Sequence, residues 1–475
     1  MSPKATIYTI FLPCYAWPRG RWQGDELLDK LQARLADVRF VGLDQFSGIM
    51  STEGRAQAYQ HITELRDELD GILVFGGYLD RELVSFDLPV IMVRSIFGVG
   101  DWEKGLLSFY RNDRLITACL SEHDLSESVA TSRFEDLIAK IRLMVAIRRL
   151  KDARLLVLQE PEILGSYDIV GMDFHAPLPK DYDEVYATRL AEYGPEIVHK
   201  SLVELNEKER QVGEQEATEV VRKWIEDAQA VKETTADEVL QAARLYVAIQ
   251  AMMDEYHADG VAVRSLVPWV NGLLKVTPCL ANTELNRQLR TGVCEGLVNS
   301  AITEMLGLYA LGRPSFIGDV VGIDSVHDAV TFAHCQCPIN PHGTDTVPYV
   351  LRSHALQERN EALPEGYPEA AANPGAAVQV LLPTDEPVTS VKLSLYDRKM
   401  AIATGTSVRG DSFYQDFDDI LCRTKLVMRT NVDAFEAKYD TVRFGVHRNL
   451  IYGDQREALK DLAKLLGFEV VEEDR

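Results

Sequence analysis

The first third of the chain alternates short apolar runs with amphipathic segments. Residues 5–12 form an apolar run typical of a buried strand, and residues 25–38 carry leucines at helical spacing. The alternation continues with a strand at 39–43, a helix at 55–69 and strands at 70–77 and 88–93. Near-continuous apolar strands between amphipathic helices indicate a parallel sheet covered on both faces. The pattern predicts a Rossmann-like α/β domain over residues 1–153.

A second α/β unit follows a long predicted helix at residues 134–153. It begins with an apolar strand at 154–159 and continues through a helical, acidic stretch at 183–255. Within that stretch Thr234-Thr235 precedes Glu238 at a spacing that lets a threonine cap a helix. We assign the central α/β domain to residues 154–352.

The last part of the chain has a different pattern. Residues 361–377, rich in Pro, Glu, Gly and Ala, predict a surface loop. Beyond it we expect short strands at 378–382, 390–396, 399–404 and 425–429, a helix at 455–466 and a last strand at 468–471. These elements predict a β-rich, barrel-like domain over residues 353–475. The fold class is therefore α/β, with two Rossmann-like domains on parallel sheets and a β-rich C-terminal domain.

Composition and charge exclude several classes of protein. A chain of 475 residues is too long for one hydrophobic core, and its net charge of −23 argues against nucleic acid or an anionic membrane as a partner. Seven cysteines without regular spacing indicate free thiols and a reducing compartment. The N-terminal apolar run is too short for a signal peptide or a membrane span, so we expect a cytoplasmic protein.

Two acids and two histidines stand out as candidate chemistry. Glu295 comes just before a predicted helix at 297–311, where an acid that only interacts with the helix dipole is the simpler interpretation. Asp319 interrupts an otherwise apolar strand, where an ionised side chain is costly unless it is paired or bound to a metal. His334 ends one apolar segment, and His447 begins another. Each of them alone fits a histidine buried in the core. Their convergence from separate regions favours a functional site.

Mixed carboxylate and imidazole ligands suit Mn²⁺ better than structural zinc, which prefers thiolates. Cys335-Gln336-Cys337 has no second cysteine pair at a finger-like spacing, which argues against a zinc ribbon. The glycine-rich phosphate-binding motifs and the Gly-x-Ser-x-Gly motif are also absent from the sequence.

The sequence resembles the L-fucose and L-arabinose isomerase superfamily. The segments that carry this resemblance are Thr277-Pro278-Cys279-Leu280-Ala281, Val293-Cys294-Glu295-Gly296, Gly312-Arg313-Pro314-Ser315-Phe316-Ile317-Gly318-Asp319, Ala333-His334-Cys335 and Val446-His447 through Tyr452-Gly453-Asp454. Before residue 150 only the α/β pattern supports it. The resemblance implies a three-domain subunit in a homotrimer or hexamer.

The resemblance also implies an activity and a ligand set. Glu295, Asp319 and His447 would bind Mn²⁺, and His334 would lie in the substrate pocket. The implied reaction is aldose-ketose interconversion of a monosaccharide through a cis-enediol. Glu295 and Asp319 would then be its catalytic base and acid, in an order that the sequence leaves open.

The N-terminal segment suggests an anionic substrate. Trp17 and Arg19 lie in a loop with two tryptophans and two arginines, which the resemblance places in a neighbouring subunit's pocket. Guanidinium groups pair with sulfonate, phosphate or carboxylate, so a sulfonated hexose such as sulfoquinovose is one expectation and a neutral hexose another. Asn449 is a further candidate for substrate binding. For the segment that contains Trp17, a solvated loop is the simpler interpretation. A non-catalytic sugar-binding protein and a metal-dependent epimerase or lyase remain alternatives.

Overall fold

The structure is a computed structural model of the chain. It describes residues 5–11, 24–42, 52–75, 85–94, 114–121, 124, 126–160, 179–265, 268–269, 272–355 and 375–475. The predicted substrate contacts Trp17 and Arg19 lie outside these ranges, as does most of the predicted loop at 361–377.

The N-terminal region forms a five-stranded parallel sheet. Its strands β1 to β5 are Ala5–Phe11, Val38–Val41, Gly71–Phe75, Val90–Arg94 and Leu115–Cys119. Among the described residues of this region, helices α1 to α3 are Gly24–Arg34, Thr52–Glu64 and Glu127–Asp152. The strand order is β2-β1-β3-β4-β5, and every residue of β3 is buried. This confirms the predicted parallel sheet.

The central region is a second α/β unit. Its strands β6 to β10 are Arg154–Leu158, Glu196–Lys200, Ala230–Val231, Gly260–Val263 and Thr291–Val293. Its helices α4 to α9 are Tyr182–Tyr193, Leu202–Gln211, Glu214–Asp227, Ala236–Glu255, Cys279–Arg287 and Val298–Leu311. Four strands pair in parallel in the order β10-β9-β6-β7. The capping box at Thr235 and Glu238 is present, and β7 and β8 interrupt the stretch that was predicted to be helical throughout.

The remaining strands build an antiparallel barrel and a small sheet. Strands β11 to β19 are Phe316–Asp324, Ala329–His334, Tyr349–Ser353, Ala376–Val380, Pro387–Ser394, Lys399–Val408, Thr424–Arg429, His447–Tyr452 and Glu469–Glu472. The helices α10 to α12 are Val432–Lys438, Thr441–Phe444 and Arg456–Leu466. Six strands follow the order β15-β18-β11-β12-β17-β16, and β15 also pairs with β16, which closes the ring. The predicted barrel-like character is confirmed.

Contacts divide the chain into two compact units. One contains residues 1–149 and 457–469, and the other contains residues 150–456 and 470–475. In the first unit α12 is held by an ion pair of 3.1 Å between Lys140 and Asp461. In the second unit, β11 and β12 belong to the same barrel as strands β15 to β18, which follow residue 353. The division into domains at 1–153, 154–352 and 353–475 stays a prediction. No helix among the described residues is both long and apolar enough to span a membrane.

Candidate active site

Glu295 lies at the carboxyl end of the parallel strand β10, in the turn that leads into α9. Both Glu295 and Gly296 have left-handed backbones, with φ of 63° and 71°. The turn is held to the neighbouring strand by the Gly296 N–H, which donates to the Val263 carbonyl oxygen at 3.0 Å. A positive φ is unusual for glutamate and is typically retained where it aims a functional side chain. Ligands in parallel sheets also bind at this end of the strands.

The barrel supplies the other three candidate side chains from neighbouring strands. In the strand register Asp319 of β11 lies opposite His447 of β18 on one side and Ala333 of β12 on the other. His334, the last residue of β12, follows Ala333 directly. Antiparallel pairing therefore brings together three positions that are far apart in sequence.

The four side chains meet. The Nε2 atom of His447 is 3.0 Å from Asp319 Oδ1 and 3.8 Å from Glu295 Oε2. The Nε2 atom of His334 is 3.6 Å from Glu295 Oε1. One ligand atom each from Glu295, His334 and His447 lies within 4.8 Å of the others, so these three residues are able to share a metal ion. The convergence expected from the sequence is therefore present, and His334 belongs to the cluster.

The environment moves the pKa values of the two acids in opposite directions. Burial raises the pKa of Glu295, but His334 and the charge of His447 lower it more, and the net pKa lies below the usual value. Burial raises the pKa of Asp319 above its usual value, although the charge of His447 opposes the increase. A pair of carboxyl groups with divergent pKa values is suited to act as an acid and a base.

The ring of His334 is oriented by the backbone. The backbone N–H of Gln336 donates to Nδ1 at 3.1 Å, so this nitrogen carries no proton in the hydrogen-bonded form. The ring proton then lies on Nε2 and faces Glu295. A cation bound at Nε2 has to displace that proton.

A cavity of about 280 Å³ adjoins the cluster. Glu295, Asp319 and His334 line it. Sequence reasoning did not assign the rest of its polar wall, which consists of Ser265, Thr277, His354 and the cysteines Cys279, Cys294, Cys335 and Cys422. His354 directly follows the apolar strand β13, the same signal that identified His334. A second cavity, of about 300 Å³, has none of the candidate acids or histidines in its described wall.

Gln336 is a further residue that sequence reasoning did not select. Its amide oxygen accepts from the Cys294 N–H at 3.1 Å, and its amide nitrogen donates to Asn286 Oδ1 at 3.1 Å. Through these bonds it ties the loop before Glu295 to the loop after His334. It positions both candidate residues without facing the cavity, whose described wall does not include it.

Asn449, the predicted substrate contact, has other partners. Its amide nitrogen donates to the Ser300 carbonyl oxygen at 3.1 Å and to Ser315 Oγ at 2.9 Å. It is fully buried and is not among the described residues that line the cavity. These bonds fasten β18 to α9 and to the residue just before β11.

Comparison with known proteins gives an informative match. No protein-family model matches the chain. The chain is similar to a sulfoquinovose isomerase from Clostridium sp. (strain MSTE9), with 26% identity over 271 residues, which is 56% of each protein. The chain therefore spans about half the length of this curated relative in the match. The similarity supports a sugar isomerase.

Proposed function

We propose that this protein is a metal-dependent aldose-ketose isomerase that acts on a monosaccharide, with a sulfonated hexose such as sulfoquinovose as its substrate. The observation that carries the proposal is the meeting of Glu295, Asp319, His334 and His447 beside one cavity. The similarity to a sulfoquinovose isomerase supports the same reaction class.

The side chains fit a divalent cation. The Nε2 atom of His447 is buried and lacks a hydrogen-bond partner among the described residues, although Asp319 Oδ1 lies 3.0 Å away. That contact is short but poorly directed for a hydrogen bond, and a buried nitrogen left in this state suits a metal ligand. Carboxylate and imidazole donors favour Mn²⁺ among common cations. We assign Glu295, His334 and His447 as ligands, with Asp319 as a fourth.

A cation held there would supply Lewis-acid stabilisation of negative charge on the sugar oxygens. The protein's own groups then move the proton. Isomerisation requires a base at one of the two carbons, C1 or C2, and an acid at the adjoining oxygens. Glu295 and Asp319 are the two carboxyl groups that border the cavity, and they take these roles. The rings of His334 and His447 are buried beside these two carboxyl groups.

The substrate contacts and the assembly belong to the same proposal. Trp17 and Arg19 contact the sugar from a neighbouring subunit in a homotrimer or hexamer. Removing either residue would then weaken substrate binding more than turnover.

The proposal is tested by product analysis in D₂O. Purified protein with Mn²⁺ is incubated with sulfoquinovose and the products are followed by NMR. We expect the corresponding ketose, with solvent deuterium at C1 or C2. Glu295→Gln and Asp319→Asn should each lower turnover by at least about 10²-fold, the usual contribution of a positioned acid or base.

The matched control is Asp324→Asn, which changes an acid at the other end of the same strand β11. It should retain activity, because Asp324 contacts His327 and Tyr414 and does not line the cavity. Smaller carbon fragments would indicate a lyase instead. Stoichiometric sugar binding without any product, from any hexose or cation tried, would indicate a binding protein.

A further inference from the structure

Two cysteine side chains face each other in the wall of the cavity beside Glu295. Cys279 begins α8 and Cys294 directly follows β10. Both are buried free thiols that line the cavity, and their sulfur atoms are 4.0 Å apart. The two sulfur atoms therefore have to approach each other by only about 2 Å to reach the length of a disulfide bond.

The sulfur of Cys294 is connected to the turn that carries Glu295. The hydroxyl oxygen of Ser265 is 3.0 Å from that sulfur, and it accepts from the Glu295 N–H at 3.4 Å. The backbone of Glu295 has a positive φ of 63°, which its surroundings have to maintain. A movement of the Cys294 sulfur towards Cys279 would withdraw it from Ser265 and pull on the residue next to Glu295.

The other cysteines of the cavity wall are placed differently. Cys335 and Cys422 also line the cavity, but they lie next to the paired residues His334 and Thr424 of β12 and β17. A link between these two cysteines would join segments that the sheet already holds together, and it would leave Ser265 in place. The pair of Cys279 and Cys294 is therefore the one through which a new bond acts on Glu295.

We propose that Cys279 and Cys294 are a site of reversible oxidation, which a hydroperoxide converts to a disulfide and a dithiol restores. The disulfide displaces Glu295 and switches the candidate active site off. The effect on catalysis rests on the proposed function, whereas the formation of the disulfide does not. A hydroperoxide is smaller than the sugar that the cavity of about 280 Å³ is proposed to admit. In a reducing compartment a disulfide of this kind is transient and redox-sensing.

The oxidation has two steps. The sulfur of one cysteine attacks an oxygen of the hydroperoxide, the O–O bond breaks, and a sulfenic acid forms while water or an alcohol leaves. The sulfur of the other cysteine then attacks the sulfenic acid, the S–O bond breaks, and water leaves as the disulfide forms. Two thiols are oxidised and one hydroperoxide is reduced, and the two thiol protons end in the released water or alcohol.

The test treats the reduced protein with hydrogen peroxide, removes the excess with catalase and maps disulfides by mass spectrometry of peptides. We expect a peptide pair joined through Cys279 and Cys294 that dithiothreitol separates. The affinity for Mn²⁺, measured by calorimetry, should fall by at least about tenfold, because the support of a ligand is lost. Turnover of sulfoquinovose should fall by about 10²-fold, the loss typical of a catalytic group displaced by about 1 Å. Dithiothreitol should restore both quantities.

Cys279→Ser and Cys294→Ser each remove one of the two sulfur atoms, so either variant that folds is sufficient. In each variant, peroxide should no longer change the affinity for Mn²⁺ or the turnover relative to the untreated variant. Cys119→Ser is the matched control, because Cys119 ends β5 in the other compact unit. It should show the same reversible loss as the wild type.

Other outcomes would overturn the inference. A disulfide between Cys335 and Cys422 instead, or an equal loss in both serine variants, would locate the oxidation elsewhere. A disulfide between Cys279 and Cys294 that leaves Mn²⁺ affinity and turnover unchanged would reject the switch. A protein without isomerase activity in which this disulfide lowers the affinity for Mn²⁺ would reject the isomerase and support the oxidation site. An active isomerase in which peroxide does not join the two cysteines would reject the oxidation site alone.

Discussion

Glu304 illustrates how burial decides the state of a single residue. It lies in α9, is fully buried, and both carboxyl oxygens lack a hydrogen-bond partner among the described residues. Burial raises its pKa well above the usual 4.5, and the nearby polar groups of Ser315, Asn286 and Gly292 oppose this only in part. Burial therefore favours the neutral carboxylic acid over the carboxylate at this position.

Replacing Glu304 with glutamine should stabilise the protein at neutral pH. Below the unfolded pKa near 4.5, both states of the wild type are protonated and the charge contributes no difference. As pH rises above that value, the Glu304 carboxyl group ionises only in the unfolded chain. The wild type therefore loses stability relative to Glu304→Gln by up to about 1.4 kcal/mol per pH unit, until the pKa of Glu304 in the native state is reached. Urea unfolding between pH 4 and 8 measures the difference in the free energy of unfolding between the variant and the wild type.

The control is Glu436→Gln at an exposed position of α10, which should change the free energy of unfolding by less than about 0.5 kcal/mol. A Glu304→Gln variant that is less stable than the wild type at every pH would contradict the prediction. Its carboxyl group would then make a hydrogen bond that the amide fails to reproduce.

Strand β18 is the element on which the candidate site depends most. It presents His447 to the cavity side of the barrel, and the next residue, Arg448, is fully buried. The guanidinium of Arg448 is 2.8 Å from Glu473 Oε1 and lies 4.7 Å from the centre of the Tyr439 ring. The chain after β19 thus holds β18 through a buried ion pair directly beside a candidate metal ligand.

Glu473→Gln should destabilise the second unit and weaken metal binding. The variant leaves the charge of Arg448 buried and unpaired, which typically costs about 3–5 kcal/mol. Because His447 is adjacent to Arg448, we also expect a lower affinity for Mn²⁺, measured by calorimetry. Glu457→Gln, which removes an acid that is 80% exposed from its pair with Lys460, should change stability by less than about 1 kcal/mol. Equal stability of the two variants would disprove a structural role of the Arg448 pair.

At the scale of the whole molecule, the candidate site belongs to one of the two compact units. Glu295, Asp319, His334 and His447 all lie within residues 150–456. Their cluster joins the edge of a parallel sheet to three strands of the antiparallel barrel. A ligand that binds this cluster therefore stabilises the packing of the sheet against the barrel.

Hydrogen exchange measured with and without Mn²⁺ tests which strands a bound ligand stabilises. A ligand at about 100 times its Kd stabilises the native state by about 2.7 kcal/mol. We expect slower exchange in β10, β11, β12 and β18 and little change in β1 to β4. His447→Ala should abolish the protection. Protection that is strongest in the first unit, or that persists in this variant, would locate the metal elsewhere.

Much of the fold follows from local patterns. The apolar run at residues 5–12 and the amphipathic stretch after it predicted β1 and α1 within a few residues, because burial imposes a period of two or 3.6 on neighbouring positions. Asp319 was identifiable because a charge in an apolar strand is costly wherever that strand lies. These properties belong to short segments and are determined by the sequence itself.

The neighbours of each candidate residue were decided by the tertiary structure. The sequence near Gln336 does not indicate that its side chain bonds to the loop before Glu295, and the partners of Asn449 were equally hidden. These contacts depend on the register of β11 against β12 and β18 and on the closure of the barrel. Pairings between distant strands arise from the packing of the whole unit, whereas a sequence pattern reports only what each short segment requires locally.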